Sequence, residues 1–462
     1  MGVSGWGGAV TLYVEADLSR PVTFAGPPPP PSGLTQWDED VFGSTPHVAG
    51  ETAVFSGYDP EWTDISQWVL GVQSSHAFSR QTNRYNTGTA SVLLSNVDGR
   101  FSPTNTDSPY RSGSSTTIGI LRQIRIRATY TEGSQTFSWV LFRGYIQSWD
   151  QKFPDFGYNS TVEVQAVGLE SRLASWDGYA VTPVGAGELS GARVARILDA
   201  AGWDGPRNID AGTAALQETT LEGSATTQVQ LVADSEGGFF YFTPDGTATF
   251  DSIDAQVLKG RLNSYVTISD VAADATTQTI RYQDIAYSYN GDLVSNIVNY
   301  QRVGGTVQTV IAGASRNMYG DRQVSRTDLI NTSDSDVLNL AQRQIAVFQS
   351  PELRVESVVI SAITPDNAEF ITGTPGGAVF RALATGKIAL RSGAQVVQTP
   401  RHESDQIAQM CFIEAVSHNI TPDNWTVGLN FSSAAAYSNV GIAVFDGTDA
   451  QAGFFDLTRW GW

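Results

Sequence analysis

Cysteine occurs once in this chain of 462 residues, at Cys411. No disulfide can close within it and no thiolate-built metal centre can form. Histidine is nearly as scarce. His47, His76, His402 and His418 are scattered with no HxxxH or HExxH pair, so a histidine metal site is not expected. A run of about 18 apolar residues, the length a spanning helix needs, is missing as well. The opening MGVSGWGGAVTLYVE lacks a basic stretch ahead of an apolar core, so no secretory signal is read there. Asn-X-Ser/Thr triplets such as Asn159–Thr161 are accordingly read as chance. Positive charge is in short supply too: 28 basic residues face 47 acidic ones, for a formal charge of -19. That balance argues against a phosphate-gripping nucleic-acid binder, which needs clustered Lys and Arg. It permits a surface along which DNA slides without being held.

Catalytic motifs are missing or incomplete. There is no GxxxxGKS/T phosphate loop and no GxSxG nucleophile elbow. Gly185-Ala186-Gly187-Glu188-Leu189-Ser190-Gly191 comes close to a dinucleotide fingerprint, but its third glycine is one residue late and Pro183 interrupts the approach. A loop entering a helix is the better reading. His402-Glu403-Ser404-Asp405 reads as a solvated turn. Trp37 beside Asp38-Glu39-Asp40 has the look of a glycosidase cleft, yet among 47 acidic residues and 11 tryptophans that adjacency carries little weight. No catalytic, cofactor-binding or metal-ligating residue is assigned, and no cofactor is expected.

What is present fits short strands joined by many turns. Hydrophobic residues make up 41%, an ordinary share, while charged residues reach only 16%. The length predicts two to four domains. Residues 1–50 read as an arm: a short strand over Val10–Val14, then the stiff polyproline segment Pro27–Pro31. Residues 51–175 read as β throughout, with strands over 76–80, 89–94, 123–130, 137–148 and 161–167. In one of them Ile124, Ile126, Ala128 and Tyr130 alternate with Arg125 and Arg127. Strands this short and numerous predict a barrel or a sandwich. In this setting Asn96-Val97-Asp98-Gly99-Arg100-Phe101-Ser102-Pro103 is a corner: Asp98–Gly99 turns the chain, and Asp98 lacks the spaced carboxylates of a calcium loop.

Residues 176–284 change character and predict a small α+β unit. Ser190 stands where it can cap a helix carrying Val194, Ile197, Leu198 and Ala201, which Gly202 stops. A second helix starts at Thr226 or Thr227 and carries Val229, Leu231, Val232 and Ala233. A hairpin follows from Phe239 to Phe250, turning at Pro244-Asp245-Gly246. Residues 285–462 return to β, with strands over Val294–Arg302, Leu353–Ile363, Lys387–Arg391, Cys411–Ser417 and Trp425–Phe431. One helix interrupts them, capped by Ser333 or Ser335, with Leu338, Ala341, Ile345 and Phe348 on one face and Ser350–Pro351 as its end.

The motif order then becomes informative. Glu61-Trp62-Thr63-Asp64-Ile65-Ser66, a strand ending near Arg80, Thr87 to Leu94, Asn96 to Pro103, Ser108-Pro109-Tyr110 and Phe142-Arg143-Gly144-Tyr145-Ile146 follow one another. This series resembles the N-terminal region of minor tail proteins from long-tailed bacteriophages, especially those infecting actinobacteria. Asp234-Ser235-Glu236-Gly237-Gly238-Phe239-Phe240, Asp245-Gly246, Asn296 to Tyr300, Ser315 and Tyr319-Gly320-Asp321-Arg322 follow. With the closing run Glu414 to Pro422 and Trp425, that succession is similar to the tail-tip, or baseplate, hub proteins of long-tailed and contractile phages. The resemblance covers about residues 50–435.

The resemblance implies a mainly β fold with α+β insertions, in which two β-barrel domains of split-barrel, tail-tube-like form flank smaller mixed α/β domains. Their spans would be 51–175 and 285–462, about the unit at 176–284. It implies a non-enzymatic virion protein of the tail tip, made in the host cytoplasm and assembled as a homotrimeric ring. Its partners would be the distal tail ring protein, the tape measure protein and other tip proteins. Genomic DNA would pass through the channel without specific binding, and contact with the host envelope would be indirect. The alternatives read from the residues are a carbohydrate- or receptor-binding β protein and a cell-wall hydrolase. The Pro27–Pro31 arm has no counterpart in the family pattern.

Overall fold

The computed structural model describes residues 4–6, 10–19, 60–79, 84–255, 259, 261, 265–271, 279–367, 376–399 and 407–434. The Pro27–Pro31 arm, the Trp37–Asp40 cluster, His47 and the His402–Asp405 group lie outside the described residues.

The protein is mainly β, as expected, and its dominant feature is a sheet of 15 strands. From one edge the path runs Ser4–Trp6, Val10–Asp17, Gln123–Glu132, Gln135–Lys152, Thr161–Gly168, Thr89–Ser95, Val69–His76, Ile407–Ile420, Gly393–Gln398, Tyr265–Ser269 and Thr279–Arg281. The alternation read from sequence is real: in Gln123–Glu132 the residues Ile124, Ile126, Ala128 and Tyr130 are fully buried. Arg125 and Arg127 point to the other face and clasp Glu15 at 2.7 and 2.9 Å. The strand expected over 76–80 is instead the end of Val69–His76 followed by the short Phe78–Ser79.

Two closed barrels are not what the described residues form. Most strands before residue 170 share one sheet and one hydrophobic core with Tyr265–Ser269, Thr279–Arg281, Asp284–Ser288, Arg354–Ser361, Gly393–Gln398, Ile407–Ile420 and Trp425–Ser433. They meet on Ile407–Ile420, a strand of 14 residues. One edge of that strand pairs with Trp425–Ser433. Its other edge is divided: residues 407–412 pair with Gly393–Gln398 and residues 416–420 with Val69–His76. A register shift between Ile413 and Ala415 falls between these two pairings. An extra residue there bends and twists the strand, so its two halves face different partners. Trp425–Ser433 continues the sheet sideways to Arg354–Ser361 and then Asp284–Ser288.

A second core belongs to helices Ser190–Ala200 and Ala225–Glu236 with the hairpin of Phe239–Phe242 and Ala248–Asp251. Val194, Ile197, Leu198, Val229 and Val232 are buried at helical spacing. The hairpin strand is buried on both faces. Phe240 and Phe242 enter this second core, whereas Phe239 and Tyr241 enter the core of the large sheet. Period-two alternation thus makes one short strand the wall between two cores.

A third, smaller core lies between the sheet of Gln308–Ile311, Ile297–Arg302 and Gln323–Leu329 and the helix Asp334–Phe348. Ser333 caps this helix by accepting from Asp336 N at 3.2 Å. Its buried face is Val337, Ala341 and Ile345, one position away from the expected Leu338. Two further expectations fail and one helix was missed. Ser190 is not a side-chain cap, because its hydroxyl donates to Glu236 instead. Lys387–Arg391 is a turn and not a strand: Arg391 sits at φ 64°, a left-handed conformation no strand tolerates. The helix Gly377–Ala384 was not anticipated, because nearly all of its residues are buried and its sequence GAVFRALA therefore shows no polar stripe.

Candidate functional site

The motif Asp234 to Phe240 lies where the three cores meet, and each of its members has a mechanical task. The Asp234 carboxylate, nearly buried, holds Arg84 of the large-sheet region and Arg326 of the three-stranded unit, both at 2.7 Å. Ser235 Oγ accepts from Ile330 N at 3.1 Å, and its carbonyl accepts from Asn331 Nδ2 at 2.8 Å. Glu236 is 2% exposed and makes no ion pair among the described residues. Its carboxylate is satisfied by Ala214 N at 2.8 Å, Thr213 N at 3.1 Å and the hydroxyls of Ser190 and Thr213. Gly237 ends the helix in the left-handed conformation, φ 71°, which a side chain resists. The chain then turns into Phe239.

Behind Phe239 is an enclosed charge network. The Arg391 guanidinium lies 3.9 Å from the centre of the Phe239 ring and bonds Glu414; both charged residues are almost wholly buried. Glu414 also accepts from Tyr85 Oη at 2.6 Å and from Ser432. The Tyr85 ring packs 4.9 Å from Tyr241, whose hydroxyl donates to Asp251 at 3.1 Å. Asp251 completes the set by pairing with Arg261 and Lys259, each at 2.7 Å. Burial raises the Tyr85 and Tyr241 hydroxyls above their ordinary range, and the neighbouring carboxylates add to this. Buried ions of this kind contribute little net stability, but losing one partner strands the other. The arrangement joins the large sheet to the middle unit through Tyr85–Tyr241 and Arg391–Phe239.

Sequence-flagged residues fall as follows. His76 and His418, isolated in sequence, come together on paired strands. Both are buried, and burial pushes them down to about 4 and about 3 respectively. His418 Nδ1 accepts from Trp425 Nε1 at 3.2 Å, so it serves as a neutral acceptor. Among the described residues no group of three or more His, Cys, Asp or Glu could hold a metal ion. The glycine-rich loop at 185–191 cradles a guanidinium, not a phosphate: Arg193 donates to the Gly185 and Gln217 carbonyls, to Thr219 and to Glu188. The corner after Leu94 is held by Asn96, whose side chain bonds Phe101 N, Ser102 and Gln151. Phe101 is fully buried among Trp68, Tyr110 and Trp149. Asp98 pairs with Arg100, whose hydrogen bond holds the carboxyl below its ordinary range.

That corner and the loop joining Gln135–Lys152 to Thr161–Gly168 lie at the same end of the sheet, since Ser95 and Lys152 both register with Thr161. This end presents Val97, Phe153, Phe156 and Tyr158, all more than half exposed, with Phe156 entirely so. Asp155 and Phe156 both have positive φ, which turns the loop outward. Sequence reading missed this face, although Phe153-Pro154-Asp155-Phe156-Gly157-Tyr158 is visibly a turn rich in rings.

No protein-family model matches the chain, and no curated protein matches it. Solved structures do. A tail protein from Neisseria meningitidis MC58 superposes with a TM-score of 0.50 at 10% identity, covering 81% of this chain and 94% of that one. The 43 kDa tail protein of prophage MuSo2 from Shewanella oneidensis superposes with a TM-score of 0.49 at 10% identity, covering 81% and 97%. The chain shares the fold of the Neisseria tail protein.

Proposed function

We propose that this chain is a structural protein of a bacteriophage tail that acts at the tail tip as a hub. Three copies would close a ring that joins the tail tube to the tip and lines part of the DNA exit channel. The observation that carries this reading is the shared fold with a tail protein, which extends over 81% of the chain. The order of motifs along the sequence supports it independently of that likeness.

The geometry suits a load-bearing ring component. One continuous sheet and an enclosed charge network resist bending between units, since neither has a second arrangement available without stranding charges. A closed ring needs head-to-tail contacts between unlike surfaces. The exposed Val97, Phe153, Phe156 and Tyr158 face supplies an apolar patch for such a contact. The distal tail ring protein, the tape measure protein and other tip proteins are its proposed neighbours. An acidic chain lining the channel would repel DNA at short range and let it pass.

The test is antibody labelling of intact particles whose genome encodes this chain. Gold at the tail tip alone supports the hub; gold along the tail shaft or on the capsid overturns it. Reconstruction of the same tips by electron cryomicroscopy then counts the copies, and any number other than three sinks the ring as proposed.

A further inference from the structure

The three-stranded unit carries a cavity that the hub reading does not use. It is a half-open hollow of about 230 Å³ lined by Tyr289, Asn290, Val294, Tyr319, Arg322 and Pro351. Its walls come from three separate segments: the loop before strand Ile297–Arg302, the end of helix Gly313–Tyr319 with the residues after it, and the turn after helix Asp334–Phe348. One fully buried residue, Asn296, ties them together. Its Nδ2 donates to Gly320 O at 2.8 Å, its Oδ1 accepts from Arg322 N at 2.8 Å, and its carbonyl accepts from Ala312 N at 2.9 Å. Ser295 N donates to Phe348 O at 2.9 Å, and the Ser315 hydroxyl donates to Gln349 O, which secures the third wall. The cavity is therefore preformed, and ordering it on binding costs little.

Its chemistry is selective. Two tyrosines bring flat apolar faces and hydroxyls; Tyr289 is 68% exposed, so its ring is open to a ligand. Asn290 is held in its turn by bonds to Ser288 Oγ and from Asp292 N. The neighbouring Asp321 is already engaged by Arg316 at 2.6 Å, so it does not neutralise Arg322. Arg322 makes no ion pair among the described residues, in a chain whose formal charge is -19. An exposed arginine with no carboxylate partner among the described residues, lining the same hollow as two tyrosines, suits a planar or tetrahedral oxyanion on a ring-shaped ligand. Asp292, next in the chain to the lining residues Asn290 and Gly291, adds negative charge that opposes purely electrostatic capture of any anion, so ring contact has to contribute.

We propose that this cavity binds a single pyranose bearing a carboxylate or a phosphate, with the acid group at Arg322 and the sugar ring against Tyr289 and Tyr319. The volume is about that of one such unit, which suits a terminal or side-branch residue of a polymer, or a free sugar acid. The same site would serve a tail protein or a free-standing binding protein, so the proposal does not depend on the hub reading.

The experiment uses the full chain and three probes: glucuronate, glucose 6-phosphate and glucose. Saturation-transfer NMR follows each during a titration. Glucuronate or glucose 6-phosphate is expected to saturate in the millimolar range, with glucose weaker by roughly tenfold or more. The acid that saturates identifies the source, carboxylate or phosphate. Arg322→Ala should erase the preference for the acid sugar, Arg322→Lys should keep part of it, and Tyr289→Ala should weaken acid and neutral sugars alike. Both positions lie at the surface, and an unchanged melting temperature establishes that each variant is folded. Silence from both acid sugars, or unchanged glucuronate and glucose 6-phosphate titrations in Arg322→Ala, overturns the proposal.

Discussion

The large sheet and the three-stranded unit handle polar groups in opposite ways. Around Phe239, where the large sheet meets the middle unit, Arg391, Glu414 and Asp251 are at most 2% exposed and each meets a charged partner. The three-stranded unit buries a neutral amide, Asn296, as its organiser and keeps its ions near the surface, as with Arg316–Asp321 and Arg302–Asp334. Enclosed ions make an interface intolerant of change, whereas a buried amide with surface ions organises a site and leaves a cation free for a ligand. The first arrangement suits a joint and the second suits a pocket.

The largest effect that tests this contrast is expected at Arg391. Arg391→Ala leaves Glu414 buried without its cation, which costs about 3–5 kcal/mol and should appear as a large drop in melting temperature. Adding Glu414→Gln should recover part of the loss. A double variant no better than the single one would remove the ion pair from the account of the joint.

Asn296→Ala should cost less, about 2–3 kcal/mol, from several buried groups left unpaired. Hydrogen exchange gives the sharper reading. Protection should fall over residues 296–322 and persist in Val69–His76 and Ile407–Ile420. Uniform loss across both regions would mean that the small unit has no organiser of its own.

The pH dependence separates groups within the large-sheet region. His76 and His418 have folded values lowered by burial to about 4 and about 3, so their neutral forms stabilise the fold above pH 6.5. That contribution is lost as pH falls from 6.5 through those values, by roughly 1 kcal/mol per pH unit for each histidine. Glu170 acts in the opposite sense. Burial raises it to about 7, against the Gly88 N–H that donates to it, so its contribution is complete below pH 4.5 and is lost as pH rises through 7. Denaturation curves of His418→Gln should be flatter on the acid side, and those of Glu170→Gln flatter between pH 4.5 and 7. Slopes unchanged in both would contradict the burial argument.

The smallest effects lie at the helix starts. Ser224 and Ser333 accept from Thr227 N and Asp336 N, so replacing either with Ala should cost about 1 kcal/mol in urea denaturation. Ser190→Ala tests a different bond, the one to buried Glu236, and should cost more than a cap does.

Much of this was legible in the sequence because it is local. Alternation over residues 124–130 put Ile124, Ile126, Ala128 and Tyr130 inside. The spacing of Val194, Ile197 and Leu198, with Gly202 after them, marked a helix and its stop. A cap at Ser333 or Ser335 was recognisable, of which Ser333 is the one that forms, and Asp98–Gly99 was recognisable as a turn with Gly99 at φ 69°. No catalytic residue was assigned from sequence, and the residues that organise the joint and the cavity were seen only as parts of motifs, without their roles. Asn296 and Glu236 stood out as members of ordered motifs, yet nothing adjacent in the chain said what each one bonds.

By itself, then, the sequence determined the class of the segments with a clear period, because a period of two or of 3.6 residues is set by the backbone of that segment alone, and it misread Lys387–Arg391 and missed Gly377–Ala384, where burial erases the period. It also carried the motif order on which the tail resemblance rests. Tertiary structure alone decided that strands from before residue 170 and from the last third of the chain meet in one sheet, that Phe239 and Phe240 belong to different cores, and that Arg391 turns left-handed to reach Glu414. The reason is range. Tyr85 and Glu414 are 329 positions apart, and no local pattern encodes a partner at that distance. Such a pairing follows from which buried charge is left to be satisfied once the cores have closed.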